Sequence, residues 1–443
     1  MLGSGAIPGG GRQARSWPQG RGVGGQHIDS LWQATTGSKA VTGVRRSRPA
    51  EDGRAAIFLA VVASILVLLV AGGLVVAHDH SERAATGSRS HSAGTGPSTS
   101  EQSSPSSSPS SSTTRVTNPP PRRPSSFGVG TTTVTLWRPP PASTENFVTG
   151  VTTPGRTLVT TIDYPSLVNS ATGPVSGAAP AYRYGPFPLL VFAPGYDLDP
   201  ESYDPLIEAW VEAGFVVVSP SFPDTNPTAV AAAAAAGDPY GTPEIDIVHE
   251  PHDVGFVLDQ VAGDAGESGN LLHGLVDLSE VGLAGQSDGG TAVAALAYGA
   301  NYAVSDLSVK IDAVAVLSGA TMYDADYDSP DATAPPLLEV ESATDTCNTP
   351  QAATALYNDI AAPAKYFLTL DQATHLAPYT GGTDSALVAG ATTAFFELEL
   401  LRKGSPALLQ STGTSAAVSS LVATTTAPSL AALPDNPDSC FVR

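Results

Sequence analysis

The sequence predicts an α/β domain beyond residue 127, with a mostly parallel central sheet, antiparallel strands at its N-terminal edge, and helices on both faces. Two observations predict it. Short runs rich in β-branched residues alternate with longer helical stretches, as happens when strands are joined by crossover helices. The two earliest runs alternate with period two whereas later ones are apolar throughout, which separates a half-exposed antiparallel edge from central strands covered on both sides.

The 443-residue chain is longer than an average domain, but its composition is uneven, so the folded part has to be located first. Residues 1–54 are rich in Gly and Arg and offer nothing to bury; they are expected to be a disordered basic tail. Residues 55–77, AAIFLAVVASILVLLVAGGLVVA, are uncharged and long enough to cross a bilayer as a helix. Eight basic residues precede that span, with Arg45, Arg46, Arg48 and Arg54 nearest to it, and positive charge favours the cytoplasmic side. A single-pass anchor with the C-terminal bulk outside the cytoplasmic membrane is expected. The alternative is a cleaved signal and a secreted product, because the span ends in the small residues 75–77; its apolar and leading regions are long for such a signal. Residues 78–126, including SSPSSSPSSSTT, read as a disordered Ser/Pro-rich linker. The folded domain is assigned to 127–443.

Within it, strands are predicted over 131–137 and 156–164 at the edge, then over 188–193, 215–219, 281–284, 311–318, 336–342 and 365–370. Helices are predicted over 203–213, 251–261, 289–298, 350–360 and 386–403. The stretch 224–250, containing AVAAAAAAGDPYG, has no obvious partner element. It reads either as a cover over a substrate site or as a surface helix in an alanine-rich loop.

The net charge of −21 hides a division, since basic residues gather before residue 127 and acidic ones after it. An acidic surface excludes nucleic acid and anionic lipid as partners of the folded domain and suits neutral or cationic substrates. The basic tail carries scattered charges without an aromatic platform, so no nucleic-acid role is assigned to it either. The two cysteines, Cys347 and Cys440, both fall in the part expected on the oxidising side. They read as one disulfide tying the C-terminal tail to the body, or as two free thiols.

The chemistry centres on Gly285-Gln286-Ser287-Asp288-Gly289. A serine on a tight strand-to-helix turn needs small neighbours, and this pentapeptide follows the apolar run 281–284 and opens into TAVAALAYGA. In a chain so rich in Gly and Ser the pentapeptide alone is weak; its setting strengthens it. A serine hydroxyl needs a histidine to take its proton and a carboxylate to orient that histidine. His375, in DQATHLAPY after the last predicted parallel strand, is the expected base. His249 and His252 precede the serine and read as loop or capping residues, and His273 reads as structural. Asp345, in ESATD one strand before the histidine loop, is the expected acid. Its rivals are Asp324, Asp326, Asp328 and Asp331 in YDADYDSPD. That cluster lacks the turn glycine and terminal glutamate of an EF-hand loop, and no metal or other cofactor is assigned. Backbone N–H groups for a tetrahedral oxyanion are expected from Asp288, after the nucleophile, and from Tyr196 in APGY after the run 188–193.

These segments resemble the α/β-hydrolases, in the branch that includes dienelactone-hydrolase-like and platelet-activating-factor-acetylhydrolase-like proteins, with a fainter likeness to cutinase-type polyester hydrolases. The resemblance spans most of 131–410 and rests on GRTLVTTIDYPS, FPLLVFAPGY, HDVGFVLDQV, VGLAGQSDGG, ESATD and ATHLAPY in that order. It implies an α/β-hydrolase fold. This chain departs from the family in having Gln286 where a histidine is common and Asp288 where an apolar or aromatic residue is common. The expected activity is hydrolysis of a small-molecule or lipid-like carboxylic ester through an acyl-enzyme. The alternatives are acyl transfer to a cell-envelope acceptor by the same residues, and a catalytically silent binding or scaffold module.

Overall fold

The computed structural model describes residues 123–146, 149–237, 243–327, 333–436 and 439–440. The predicted tail 1–54, the span 55–77 and all but the last four residues of the linker 78–126 lie outside the described residues. Among the described residues no helix is long and apolar enough to cross a membrane.

The domain is built on one ten-stranded sheet. Strands β1 (Gly128–Asn146), β2 (Val151–Ser166) and the two-residue β3 (Val175–Ser176) form one edge. The sheet continues through β4 (Phe187–Ala193), β5 (Val216–Ser221), β6 (Val276–Gln286), β7 (Ala313–Leu317), β8 (Leu337–Ser342), β9 (Lys365–Leu370) and β10 (Ser419–Ala423). Their order is β10-β9-β8-β7-β6-β4-β5-β2-β1-β3. The strands from β4 to β9 are mutually parallel, β2 pairs antiparallel to both β1 and β5, and β10 runs antiparallel to β9. The arrangement is consistent with an α/β-hydrolase fold.

Seven helices accompany the sheet among the described residues: α1 (Asp204–Ala213), α2 (Pro227–Ala235), α3 (Glu250–Gly266), α4 (Asp288–Tyr298), α5 (Pro350–Asp359), α6 (Ser385–Glu399) and α7 (Pro406–Thr412). The continuous apolar runs of the central strands are explained by what lies on each side. Val191, Val218, Leu283 and Val316 join Val254, Val257 and Leu258 of α3 in one core, while Leu190, Phe192, Val217 and Leu338 join Trp210 of α1 and Phe396 of α6 in the other. Alternate residues of one strand therefore enter opposite cores, and neither face tolerates a polar run.

Strands β3 and β10 and helix α7 lie outside the predicted elements, and β1 outruns its predicted end. The segment SSLVA of β10 is short and hydroxyl-rich, and its strand character comes from pairing with β9. Strand β1 runs far past residue 137, through three consecutive prolines, before a register shift lets Ser143 pair with Pro154. Prolines persist there because much of that stretch borders no second strand.

The strand order creates the site. From β4 the chain turns toward β5, and from β6 it turns the other way toward β7, while β4 and β6 are neighbours. The loops leaving their carboxyl ends diverge and open a crevice, where such sheets place reactive groups.

Candidate active site

Ser287 stands at the junction of β6 and α4 with φ 55° and ψ −122°, a strained backbone for a residue with a side chain. Two anchors hold it there: its N–H donates to Leu317 O at 2.9 Å, and its carbonyl accepts from the Thr291 N–H at 2.9 Å. The flanking glycines are required by space. A Cβ on Gly285 would lie 2.2 Å from Gly289 O, and one on Gly289 would lie 2.0 Å from Ala193 O.

His375 and Asp345 come to this serine from the loops after β9 and β8. His375 Nε2 lies 2.9 Å from Ser287 Oγ, and Nδ1 lies 2.7 Å from Asp345 Oδ2. Asp345 is held in turn, its Oδ1 accepting from the Cys347 N–H at 2.8 Å. All three residues are buried. A carboxylate on Nδ1 fixes the tautomer that leaves a lone pair on Nε2 for the serine proton.

The crevice side is closer packed than the motif suggests. A Cβ on Gly195 would lie 2.7 Å from Gln286 Oε1 and 3.0 Å from Ser287 Cβ, so the segment after β4 passes directly over the nucleophile turn. Within it, the Gly195 N–H donates to Tyr203 OH at 3.0 Å and the Asp197 N–H donates to Thr225 O at 2.9 Å. Tyr196 sits between these two committed amides, and Asp197 adopts φ 59° to make the turn. Tyr203 OH donates to Gln286 Oε1 at 2.8 Å; the Gln286 amide nitrogen lies 3.2 Å from His375 Nε2 and 3.3 Å from His375 O.

Asp288 occupies the first turn of α4, half-buried, where a helix N-terminus favours its charge. Facing it is Glu250 at the start of α3, whose Oε1 accepts from Thr225 Oγ1 at 2.7 Å. Burial, and then the charge of Asp288, push the Glu250 carboxyl well above the usual range.

Beneath this flank lies a buried ionic hub. Arg156 of β2 bonds Asp246 at 2.6 and 2.9 Å, Asp253 at 2.8 Å and Asp224 at 3.1 Å, and Arg138 reaches Asp253 at 2.7 Å. Burial works against the Arg156 charge, but its aspartate partners outweigh burial and raise its pKa. Burial likewise pushes Asp224 up to about 7 and Asp246 up to about 6, each also raised by a neighbouring aspartate and lowered by Arg156. Asp224 adjoins Thr225 and Asp253 lies one turn along from Glu250, so the hub fixes both ends of the unassigned stretch 224–250. Between those ends lie α2 and the 3₁₀ stretch Pro243–His249.

The other candidates lie elsewhere. Asp324 and Asp326 are exposed, and their carbonyls accept from Asn301 and Ala300 after α4; Asp328 and Asp331 are outside the described residues. His249 is the residue before α3, His252 packs on Tyr302, and His273 is exposed with Nδ1 at 2.9 Å from Ala265 O. Cys347 and Cys440 form a disulfide, two residues beyond Asp345. Ser439 beside it bonds Thr346 and helps line a cavity of about 530 Å³ whose lining includes Asp345 and His375. Among the described residues no group of three or more His, Cys, Asp or Glu is arranged to hold a metal ion.

Sequence reasoning assigned no role to Tyr203, Arg156 or Glu250. For Arg156 a signal was present: period two puts it on the same face as Leu158, Thr160 and Ile162, all buried. A charged residue on a buried face demands partners.

No protein-family model and no curated protein matches the sequence. Among solved structures, the chain is similar to a ferulic acid esterase from Streptomyces cinnamoneus at 19% identity and a TM-score of 0.47, with 66% of this chain and 94% of that chain covered.

Proposed function

We propose that the protein is a serine hydrolase that cleaves carboxylic esters through an acyl-enzyme. The observation that carries this reading is the unbroken chain Ser287 Oγ to His375 Nε2 at 2.9 Å and His375 Nδ1 to Asp345 Oδ2 at 2.7 Å, on a strained strand-to-helix turn. His375 takes the Ser287 proton as Oγ attacks the ester carbonyl carbon, and the carbonyl π electrons move onto oxygen. Asp345 stabilises the imidazolium that forms. The amides of Tyr196 and Asp288, next in sequence to Gly195 and Ser287, donate to the oxyanion. Collapse expels the alcohol, which takes the proton from Nε2. Water then repeats the sequence on the acyl-enzyme and releases the acid.

The acidic composition of the domain favours neutral or cationic small-molecule or lipid-like esters over polyanions. The reading places the domain outside the cytoplasmic membrane, anchored through residues 55–77; the Cys347–Cys440 bond is of the kind that persists in oxidising compartments.

The test is steady-state and pre-steady-state hydrolysis of p-nitrophenyl acetate and butyrate by the full chain. A burst of p-nitrophenol stoichiometric with enzyme is expected, followed by slower turnover, both falling to background in Ser287→Ala. Turnover that survives Ser287→Ala contradicts the assignment.

A further inference from the structure

The bond from Tyr203 to Gln286 has no place in the mechanism above, yet all the groups around it are buried and mutually oriented. The Gly195 N–H donates to Tyr203 OH, so the tyrosine proton is directed at Gln286 Oε1. That in turn fixes the amide of Gln286: its oxygen faces Tyr203 and its NH₂ faces His375. The NH₂ reaches both the backbone carbonyl of His375, at 3.3 Å, and Nε2, at 3.2 Å. Tyr203 and Gln286 are fully buried and the Tyr203 ring packs edge-on against Phe192 at 4.7 Å, so neither is free to reorient.

We propose that Tyr203 and Gln286 act as a positioning pair, anchoring the His375 loop and coupling it to the segment that carries Tyr196. This rests on the serine-hydrolase reading. The pair has two physical effects. It holds the base and one oxyanion donor in fixed relation, because the Gly195 amide and the His375 carbonyl are linked through only two side chains. It also presents a donor to Nε2, which matches a neutral imidazole and opposes an imidazolium bearing its own N–H there. When Nε2 carries the proton during turnover, the facing N–H favours its delivery to the leaving alcohol.

The titratable groups around His375 are Asp345, bonded to Nδ1, with Glu341 of β8 and Tyr379 behind Asp345. None of them touches the Gln286 amide, so the pair can be altered without changing that set.

The experiment measures kcat, KM and the pH dependence of kcat/KM for p-nitrophenyl butyrate in the parent, Ser287→Ala, Tyr203→Phe and Gln286→Glu. Tyr203→Phe keeps the ring and removes only the hydroxyl, which releases the Gln286 amide to turn its oxygen toward Nε2. A fall in kcat of about tenfold with little change in KM is expected, as for small misplacements of reacting groups. The acid limb of kcat/KM should move to higher pH by about one unit, the equivalent of one hydrogen bond changing sign. Gln286→Glu should move the limb further in the same direction, since a carboxylate stabilises an imidazolium. Loss of packing alone lowers activity without moving the limb. If the parent depends on Ser287 while Tyr203→Phe keeps its kcat and an unmoved limb, the pair is idle and the proposal is overturned. If activity in the parent does not depend on Ser287, the serine-hydrolase reading falls and this proposal falls with it.

Discussion

Ser287 is flanked by two buried polar regions that hold their charges in opposite ways. On one side, toward β8 and β9, Asp345 bonds His375 and the Cys347 amide. The glutamates on the strand beneath, Glu339 and Glu341, are fully buried, and burial pushes both well above the usual carboxyl range. On the other side, toward β2 and α3, three aspartates share Arg156, with Arg138 adding to one of them. In the first region burial disfavours charge on the carboxyl groups behind Asp345. The second sets a buried cation among its aspartates, and Arg156 works against the rise that burial imposes on Asp224 and Asp246. The difference separates two arrangements: Asp345 is joined to His375, and the contacts around Arg156 fix the ends of 224–250 against the sheet.

Four variants test these two arrangements, in order of decreasing effect. Asp345→Asn should lower kcat by about 10⁴-fold, because the amide favours the wrong imidazole tautomer, and should barely change the unfolding midpoint in urea. Arg156→Met should do the reverse in kind: it strands Asp224, Asp246 and Asp253, and a loss of about 3–5 kcal/mol is expected from chemical denaturation. A stable Arg156→Met protein would erase the contrast between the two regions. The pair Cys347→Ser and Cys440→Ser opens a closure of 93 residues, for which a loss of about 2–4 kcal/mol is expected. Its kcat should fall much less than that of Asp345→Asn, because the Cys347 N–H that holds Asp345 is a backbone group.

The smallest effect concerns Asp163, on the opposite face of the strand that carries Arg156. Burial, partly offset by a hydrogen bond from Thr131 and reinforced by Asp204, Glu201 and Glu208, pushes it from 3.8 up to about 7. With the folded value raised, the folded state keeps a proton that the unfolded chain releases. Its contribution to stability is complete below the unfolded value of 3.8 and is lost as pH rises to about 7. Asp163→Asn should remove that decline, leaving the variant more stable than the parent at pH 8 by on the order of 1–3 kcal/mol, read from urea midpoints at pH 5 and pH 8. An unchanged pH dependence would mean that this aspartate has found a compensating partner after all.

The two regions also differ in how far they could be read from the sequence. The serine turn, the acid loop and the histidine loop each follow an apolar strand, so local pattern and chain order place Ser287, Asp345 and His375 without knowledge of any contact. The Arg156 region has no local signature beyond the buried phase of one strand, because its aspartates lie 68 to 97 residues away along the chain. The same holds for Tyr203, which looks like the start of a helix and meets Gln286 across 83 residues. The stretch 224–250 resisted reading for a different reason. An alanine run favours a helix but offers no amphipathic face, so α2 buries only Val230 and Ala233, and the segment is held by its ends.

The central claim is that Ser287 is the nucleophile, and it is most directly tested by treating the full chain with a fluorophosphonate and mapping the adduct by peptide mass spectrometry. The account predicts one adduct per chain, on the peptide containing Gly285-Gln286-Ser287, absent in Ser287→Ala and strongly slowed in His375→Ala. No adduct on the folded protein, or an adduct that persists in Ser287→Ala, would contradict it.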